Sequence, residues 1–240
     1  MGACFDGFGN GLARIYQNAS KVYDICREVN PKYRKSCFDG ISGGLGNILC
    51  NNITRAINQC NELDADLRKR CYDGLGHGLG SQYSNTTKIY EKCNETTGKY
   101  KYYCFKGVGF VQGIKYNNVS QGILICHELK NQSNICLEGL GDSIGEFFSY
   151  KNISRAESEC LKFENEEHEM NCIEEIGFGI GRNFAHNITK SVEMCKEMKN
   201  EFELQCLEGV KKTLRRKYGS GDDFYNRCLK LNRYHSNITC

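Results

Sequence analysis

Sixteen cysteines and nine N-x-[ST] triplets are the residues whose types and spacing carry chemistry in this 240-residue chain. Six of the triplets share one register, because an acceptor asparagine stands eight positions before a cysteine in Asn18/Cys26, Asn52/Cys60, Asn85/Cys93, Asn118/Cys126, Asn152/Cys160 and Asn187/Cys195. Scattered triplets arise by accident, but one per repeat in a fixed register reads as N-linked glycosylation of a secreted chain. Asn94, Asn131 and Asn237 open further triplets outside the register.

The cysteine density points to the same compartment, since thiols this abundant persist as disulfides only under oxidising conditions. Zinc would require C-x2-4-C knuckles or histidines at ligand spacing, and neither is present. The five histidines, His77, His127, His168, His186 and His235, occupy different repeat positions and form no shared ligand set. A row of acids at one repeat position (Asp6, Asp39, Asp73, Glu138, Glu208) suits a helix N-terminus. Lys106 interrupts it, which argues against a calcium ladder. The G-x-G runs lack the preceding strand and the Lys-Ser/Thr of a phosphate loop, and they recur as structural glycine does. With the cysteines committed to bridges, no nucleophile–base pair remains. The expectation is a non-enzymatic protein without metal or cofactor, carrying only covalent glycans.

Composition excludes further classes. A net charge of +3 with both signs along the chain is no nucleic-acid footprint, and no run of 18 apolar residues is available to span a membrane. The opening MGACFDG has no apolar signal segment. A secretion signal is therefore expected to have been removed or to lie outside these residues, and the chain is expected to be extracellular or at the cell surface.

The elements that position these residues repeat. Cys4, Cys37, Cys71, Cys104, Cys136, Cys172 and Cys206 recur at steps of 32 to 36 residues. A second set, Cys26, Cys60, Cys93, Cys126, Cys160, Cys195 and Cys228, follows each by 22 to 24. After each first-set cysteine the chain reads C-a-[DE]-G-a-G-x-x-a-G-x-x-[YF], with a apolar, as in CYDGLGHGLGSQY. Apolar residues at offsets 1, 4, 8 and 12 trace one helical stripe, and glycines at offsets 5 and 9 lie one turn apart on one face. Each costs about 1 kcal/mol against alanine in a helix interior, so a neighbouring backbone is expected to come close there. A shorter helix, capped by the Ser or Thr of the sequon, leads to each second-set cysteine. The short helix, a loop and the next long helix then form a hairpin stapled by Cys26–Cys37, Cys60–Cys71, Cys93–Cys104, Cys126–Cys136, Cys160–Cys172, Cys195–Cys206 and Cys228–Cys240.

A period near 34 with two helices per unit, and long-helix endings such as LGSQY, IGEFF and IGRNF, resembles the tetratricopeptide and Sel1-like class of helical repeats. The chain lacks the tryptophan and regular proline of that pattern and adds cysteines and sequons. The resemblance implies an all-α, right-handed solenoid, here of seven repeats over 1–240, and no catalytic residue.

In this register the first repeat is ordinary, with Phe5, Phe8 and Leu12 in place, and an uncapped end at Cys240, without an eighth long helix, is expected. The seventh long helix carries Lys211, Lys212, Arg215, Arg216 and Lys217, with SGDD in place of the sequon. An acidic surface at Glu164, Glu166, Glu167 and Glu169 is available to meet that basic helix. Head-to-tail stacking of copies is the natural completion, and stacking that does not close on itself gives an open filament. Cys4 and Cys50, left over from the seven pairs, are expected to link subunits. The expected function is a structural subunit of an extracellular, N-glycosylated filament whose partner is itself. The alternative is a monomeric secreted scaffold whose groove binds a protein, peptide or glycan.

Overall fold

A computed structural model describes residues 2–116, 119–147 and 152–240. Among them the chain forms fourteen α-helices and one 3-10 turn, and no strand. It divides into two compact units, one of residues 1–115 with 124–139, the other of residues 116–123 with 140–240.

In the first unit long and short helices alternate. They are α1 (Gly2–Tyr16), α2 (Ala19–Glu28), α3 (Pro31–Leu49), α4 (Ile53–Asn61), α5 (Ala65–Gln82), α6 (Thr86–Asn94) and α7 (Tyr100–Tyr116). Next come α8 (Val119–Glu128), the 3-10 turn Lys130–Gln132 and α9 (Ser133–Phe147), and both α8 and α9 contribute to each unit. The second unit continues with α10 (Ile153–Cys160), α11 (Glu166–Phe184), α12 (Ile188–Lys196), α13 (Asn200–Tyr218) and α14 (Asp222–Tyr234).

Long helix packs on long helix, α1 on α3 and α3 on α5 in the first unit, α11 on α13 in the second. The apolar stripe explains the burial. In α5 Tyr72, Leu75 and Leu79 are at most 1% exposed, and Ile173, Ile176 and Ile180 of α11 are fully buried. Glycine explains the closeness. The offset-5 glycines Gly9, Gly76, Gly109 and Gly177 each face a carbonyl of the next long helix (Cys37, Cys104, Cys136 and Cys206), which an added Cβ would overlap.

A second glycine face, not anticipated from the spacing, looks the other way. Gly74, Gly107, Gly139 and Gly209, at offset 3, face carbonyls of the preceding long helix (Ser42, Asp73, Lys106 and Glu174). Gly78, at offset 7, meets the carbonyl of Gly46. Where one side of an interface carries a larger group the other side is glycine, as with Gly181, where an added Cβ would come within 2.8 Å of Thr213 Cβ.

Within each unit polar bonds tie several short helices to the segment one repeat along. The Gln59 carboxamide accepts from the Ala19 N–H at 2.9 Å and donates to the Gln17 carbonyl at 3.1 Å. Thr86 donates to Glu128 at 2.7 Å, and in the second unit the Lys199 N–H donates to Glu157 at 3.3 Å.

The cysteine hairpins are more helical than a loop of 10 to 12 residues implies. Helix α2 runs past Cys26 to Glu28, and α3 starts at Pro31, six residues before Cys37. The cause is a second set of N-caps. Asn30, Asp64 and Asn165 accept from the N–H groups of Lys32, Leu67 and Glu167, and Pro31 sits at the first position of its helix. The Asn-Pro pair and the Asp-Ala-Asp run carried this signal in the sequence.

Two predictions follow from the packing and the caps. Gly76→Ala, which helix propensity alone would make stabilising, is expected to cost about 1–3 kcal/mol by overpacking. Gly11→Ala, where nothing lies within 4 Å of the new Cβ, is expected to be neutral or stabilising by up to about 1 kcal/mol. Denaturant melts of the two variants check the opposite signs. Asp64 gives a pH test. The Leu67 N–H, then the Arg27 guanidinium, hold its carboxyl below the usual carboxylate range. Its contribution is therefore present above the unfolded-state pKa of about 4 and is lost as pH falls through the folded value. Asp64→Asn keeps the cap, so it is expected to cost at most about 1 kcal/mol at pH 7 and nothing in strong acid.

Candidate functional site: the capped sequon turns

Five of the described turns from a long helix to the next short one place the sequon asparagine at the N-cap. The side-chain oxygens of Asn18, Asn52, Asn85, Asn152 and Asn187 accept from the N–H groups of Lys21, Arg55, Lys88, Arg155 and Lys190 at 2.9 to 3.1 Å. This corrects the assignment of the cap to Ser or Thr. The asparagine takes the position because its oxygen reaches the third N–H of the helix while its own backbone stays extended, as at Asn152 (φ −163°, ψ 95°).

The geometry has a chemical consequence. The cap uses Oδ1, whereas N-linked glycosylation uses Nδ2. All five residues are exposed, so capping and a sugar are compatible on one carboxamide. Asn118 lies outside the described residues. Asn94 is half-buried at the end of α6, and its triplet threonine, Thr96, is buried and bonded to the Cys93 carbonyl at 2.6 Å. Asn131 accepts from the Tyr90 hydroxyl at 3.1 Å, and Asn237 is exposed beside the buried Ile238. The SGDD turn caps α14 with Gly221, which makes no side-chain cap bond.

Seven cysteine pairs stand at disulfide distance: Cys26–Cys37, Cys60–Cys71, Cys93–Cys104, Cys126–Cys136, Cys160–Cys172, Cys195–Cys206 and Cys228–Cys240. Their Cα–Cα separations are 5.3 to 5.8 Å. Except for Cys240 all are at most 3% exposed, so each bridge is also part of the core. The two left over differ. Cys4 is exposed, whereas Cys50 is fully buried at the end of α3, its thiol 3.5 Å from the Asn47 carbonyl and pushed up in pKa by burial. Of the two cysteines expected to link subunits, singly or together, Cys4 alone stands at the surface of the described chain.

The remaining polar residues are engaged in packing. His77 stacks on Phe110 at 4.8 Å, with Nε2 3.6 Å from Asp73. His127 lies 3.2 Å from the Ser133 hydroxyl, and His168 meets the Phe163 ring edge-on at 6.5 Å. His186 is exposed, and His235 caps the C-terminus of α14. Among the described residues no three His, Cys, Asp or Glu side chains group as a metal site. The acid row is met by cations: Arg70 pairs with Asp39, Lys106 with Glu138, Lys211 with Glu208, and Lys212 with Glu174 and Glu175. The Asp6 side chain lies outside the described residues. The basic helix thus spends Lys211 and Lys212 within its own unit, while Arg215 stays exposed. Glu166, Glu167 and Glu169 fill the first turn of α11, where they complement the helix dipole. No helix of the described residues is long and apolar enough to cross a membrane.

Two faces break the burial pattern. Offset 4 is Ile41, Leu75, Val108, Leu140, Ile176 and Val210 in later long helices, each at most 1% exposed, but in α1 it is Phe8 at 43%. Ile15 beside it is 75% exposed, and nothing lies within 4 Å of a Cβ at Gly7 or Gly11. In α14 Tyr225 is 52% exposed, at the register of the fully buried Tyr23 and of Val192 at 1%.

Substitutions separate cap from sugar. Asn85→Asp keeps the cap and abolishes the acceptor, so it is expected to lower the mass by one glycan and leave helix capping intact. Asn85→Ala loses both and is expected to cost a further 1 kcal/mol or so; intact-mass spectrometry and melts of the enzymatically deglycosylated proteins check this. Removing one bridge as Cys93→Ser/Cys104→Ser is expected to cost about 3 kcal/mol in the chain-entropy model, read from denaturant unfolding. No family model, curated protein or solved structure matches this chain.

Proposed function

We propose that this protein is a structural subunit of an extracellular, N-glycosylated filament, built by head-to-tail association of copies. In the same proposal the hairpins run as seven repeats of one right-handed, tetratricopeptide-like solenoid. The observation that carries the reading is the exposed face of α1. Phe8, Gly7 and Gly11 stand open at positions that later long helices use for burial or for close approach, and Ile15, 75% exposed, extends the apolar face. Tyr225 of α14 supplies an exposed counterpart in the last hairpin.

A second copy is the occupant because the internal helix interfaces already supply the matching chemistry. They pair a backbone-close glycine with a carbonyl or a larger side chain, as Gly80 does with Val111 and Gln112. Helix α13 carries Lys211 and Arg215 at its outward glycine positions, and Gly7 and Gly11 leave room for long side chains. Seven cysteine pairs at disulfide distance, six of them fully within the core, support an oxidising, extracellular setting. Glycans at exposed turns would cover the lateral surface and leave the two helix faces for assembly.

Sedimentation velocity of the secreted protein over a range of concentrations tests this. The expected result is an open-ended distribution that collapses to monomer in Phe8→Asp/Ile15→Asp. A wild-type chain that stays monomeric throughout would overturn the filament and leave the binding-scaffold reading standing.

A further inference from the structure

Several sequon turns place an aromatic ring two residues before the acceptor asparagine. In four of the six registered sequons a tyrosine stands two residues before the acceptor: Tyr16 before Asn18, Tyr83 before Asn85, Tyr116 before Asn118 and Tyr150 before Asn152. A simpler account would make this tyrosine the last apolar residue of the long helix, at offset 12. The two registers separate in three repeats. In the fifth the interval from first-set cysteine to acceptor is 16 residues instead of the 14 between Cys71 and Asn85, offset 12 is Phe148, and a tyrosine still stands two before the asparagine. In the second and sixth the interval is 15, offset 12 is Leu49 and Phe184, and Cys50 and Ala185 stand two before the acceptor. Tyr16, Tyr83 and Tyr116 thus belong to both registers, and the geometry of the turn is what ties ring to acceptor.

The two such turns among the described residues bring ring and carboxamide together on one lysine. Lys21 gives its N–H to Asn18 Oδ1 at 2.9 Å and sets Nζ 4.2 Å from the Tyr16 ring centre. Lys88 gives its N–H to Asn85 Oδ1 at 3.1 Å and sets Nζ 5.8 Å from the Tyr83 ring centre. Tyr16 is 39% exposed and Tyr83 is half-buried. At Tyr83 the backbone is extended (φ −102°, ψ 129°), as it is at Asn85 (φ −88°, ψ 108°). Side chains two apart along extended chain point to the same face, which applies at Tyr83 and Asn85; at the first turn Gln17 reverses the chain with φ 49°, and there the shared Lys21 joins ring and carboxamide.

A pyranose attached to Nδ2 leaves the carboxamide on that face. One side of such a ring is a patch of C–H groups, and the electron-rich face of a phenol is its natural partner. The lysine ammonium beside it is a donor for sugar hydroxyls. We propose that Tyr16 and Tyr83 are carbohydrate-binding residues, each a stacking platform for the first sugar of the N-linked glycan two residues on. The same sequence assigns that role at Asn118 and Asn152. The inference rests on the glycosylation reading above and adds to it which sugars are held and by what. Held sugars leave the turn in a defined direction, whereas Asn52 and Asn187, preceded at the same distance by Cys50 and Ala185, carry theirs unsupported.

These two sites are the internal control. The test is NMR of the isotopically labelled, secreted glycoprotein, with site occupancy measured by glycopeptide mass spectrometry. The protons of the first sugar at Asn18 and Asn85 are expected to move upfield by the ring current of tyrosine, relative to those at Asn52 and Asn187. Tyr83→Leu is expected to abolish the displacement at Asn85 alone and Tyr83→Phe to retain it, with Tyr16→Leu doing the same at Asn18. Equal shifts at all four sites, or shifts insensitive to both leucine variants, overturn the proposal while the glycosylation reading stands. Bare asparagines at 18 and 85 overturn both.

Discussion

The approach of one long helix to the next over glycine is the constraint on which the rest of the structure depends. A helix normally keeps its neighbour 8–10 Å away with side chains. Here the offset-5 and offset-3 glycines remove that spacer on two faces, and carbonyls of the adjacent helix occupy the room. The arrangement carries two costs. Each glycine gives up helix propensity, and thin interfaces bury less apolar surface than leucine-rich ones. The disulfides offset both. Each closes a hairpin whose arms are 10 to 12 residues apart in sequence, and all but the last, which ends at the exposed Cys240, are buried in the core the glycines left thin. Glycine and cysteine are therefore one design, in which close packing is made stable by covalent staples.

That design sets where the turns fall. The long helices end where the chain must reverse into the short helix, and the first free N–H groups of that helix need an acceptor at once. Asparagine supplies it with one atom of its carboxamide and offers the other to solvent. The feature that first reads as a modification signal is thus also a structural cap, and the proposed glycan would use the other atom of the same carboxamide.

Much of this was legible in the residues. The cysteine spacing indicated the seven pairs, because sequence separations of 10 to 12 are a local property of a hairpin. The apolar stripe gave the long helices, because a period of 3.6 is local too. The offset-3 and offset-7 glycines were harder to read. Their function depends on the preceding helix, so no periodicity within one helix separates them from the offset-5 pair. The N-caps at Asn30, Asp64 and Asn165 were legible but hidden by the assumption that a span between cysteines is a loop. Burial of Cys50 lies beyond any spacing argument, since it follows from what packs around the end of α3. The exposure of Phe8 is likewise invisible in sequence, where it matches its buried counterparts in type and register.

The central claim is that capped asparagines and an open α1 face belong to one self-assembling, sugar-coated subunit. Electron cryo-microscopy of the secreted protein tests it most directly. The account predicts uniform fibres in which density for sugar leaves Nδ2 of the cap asparagines and a neighbouring copy covers Phe8 and Ile15. Discrete 27.3 kDa particles with bare asparagines would contradict it.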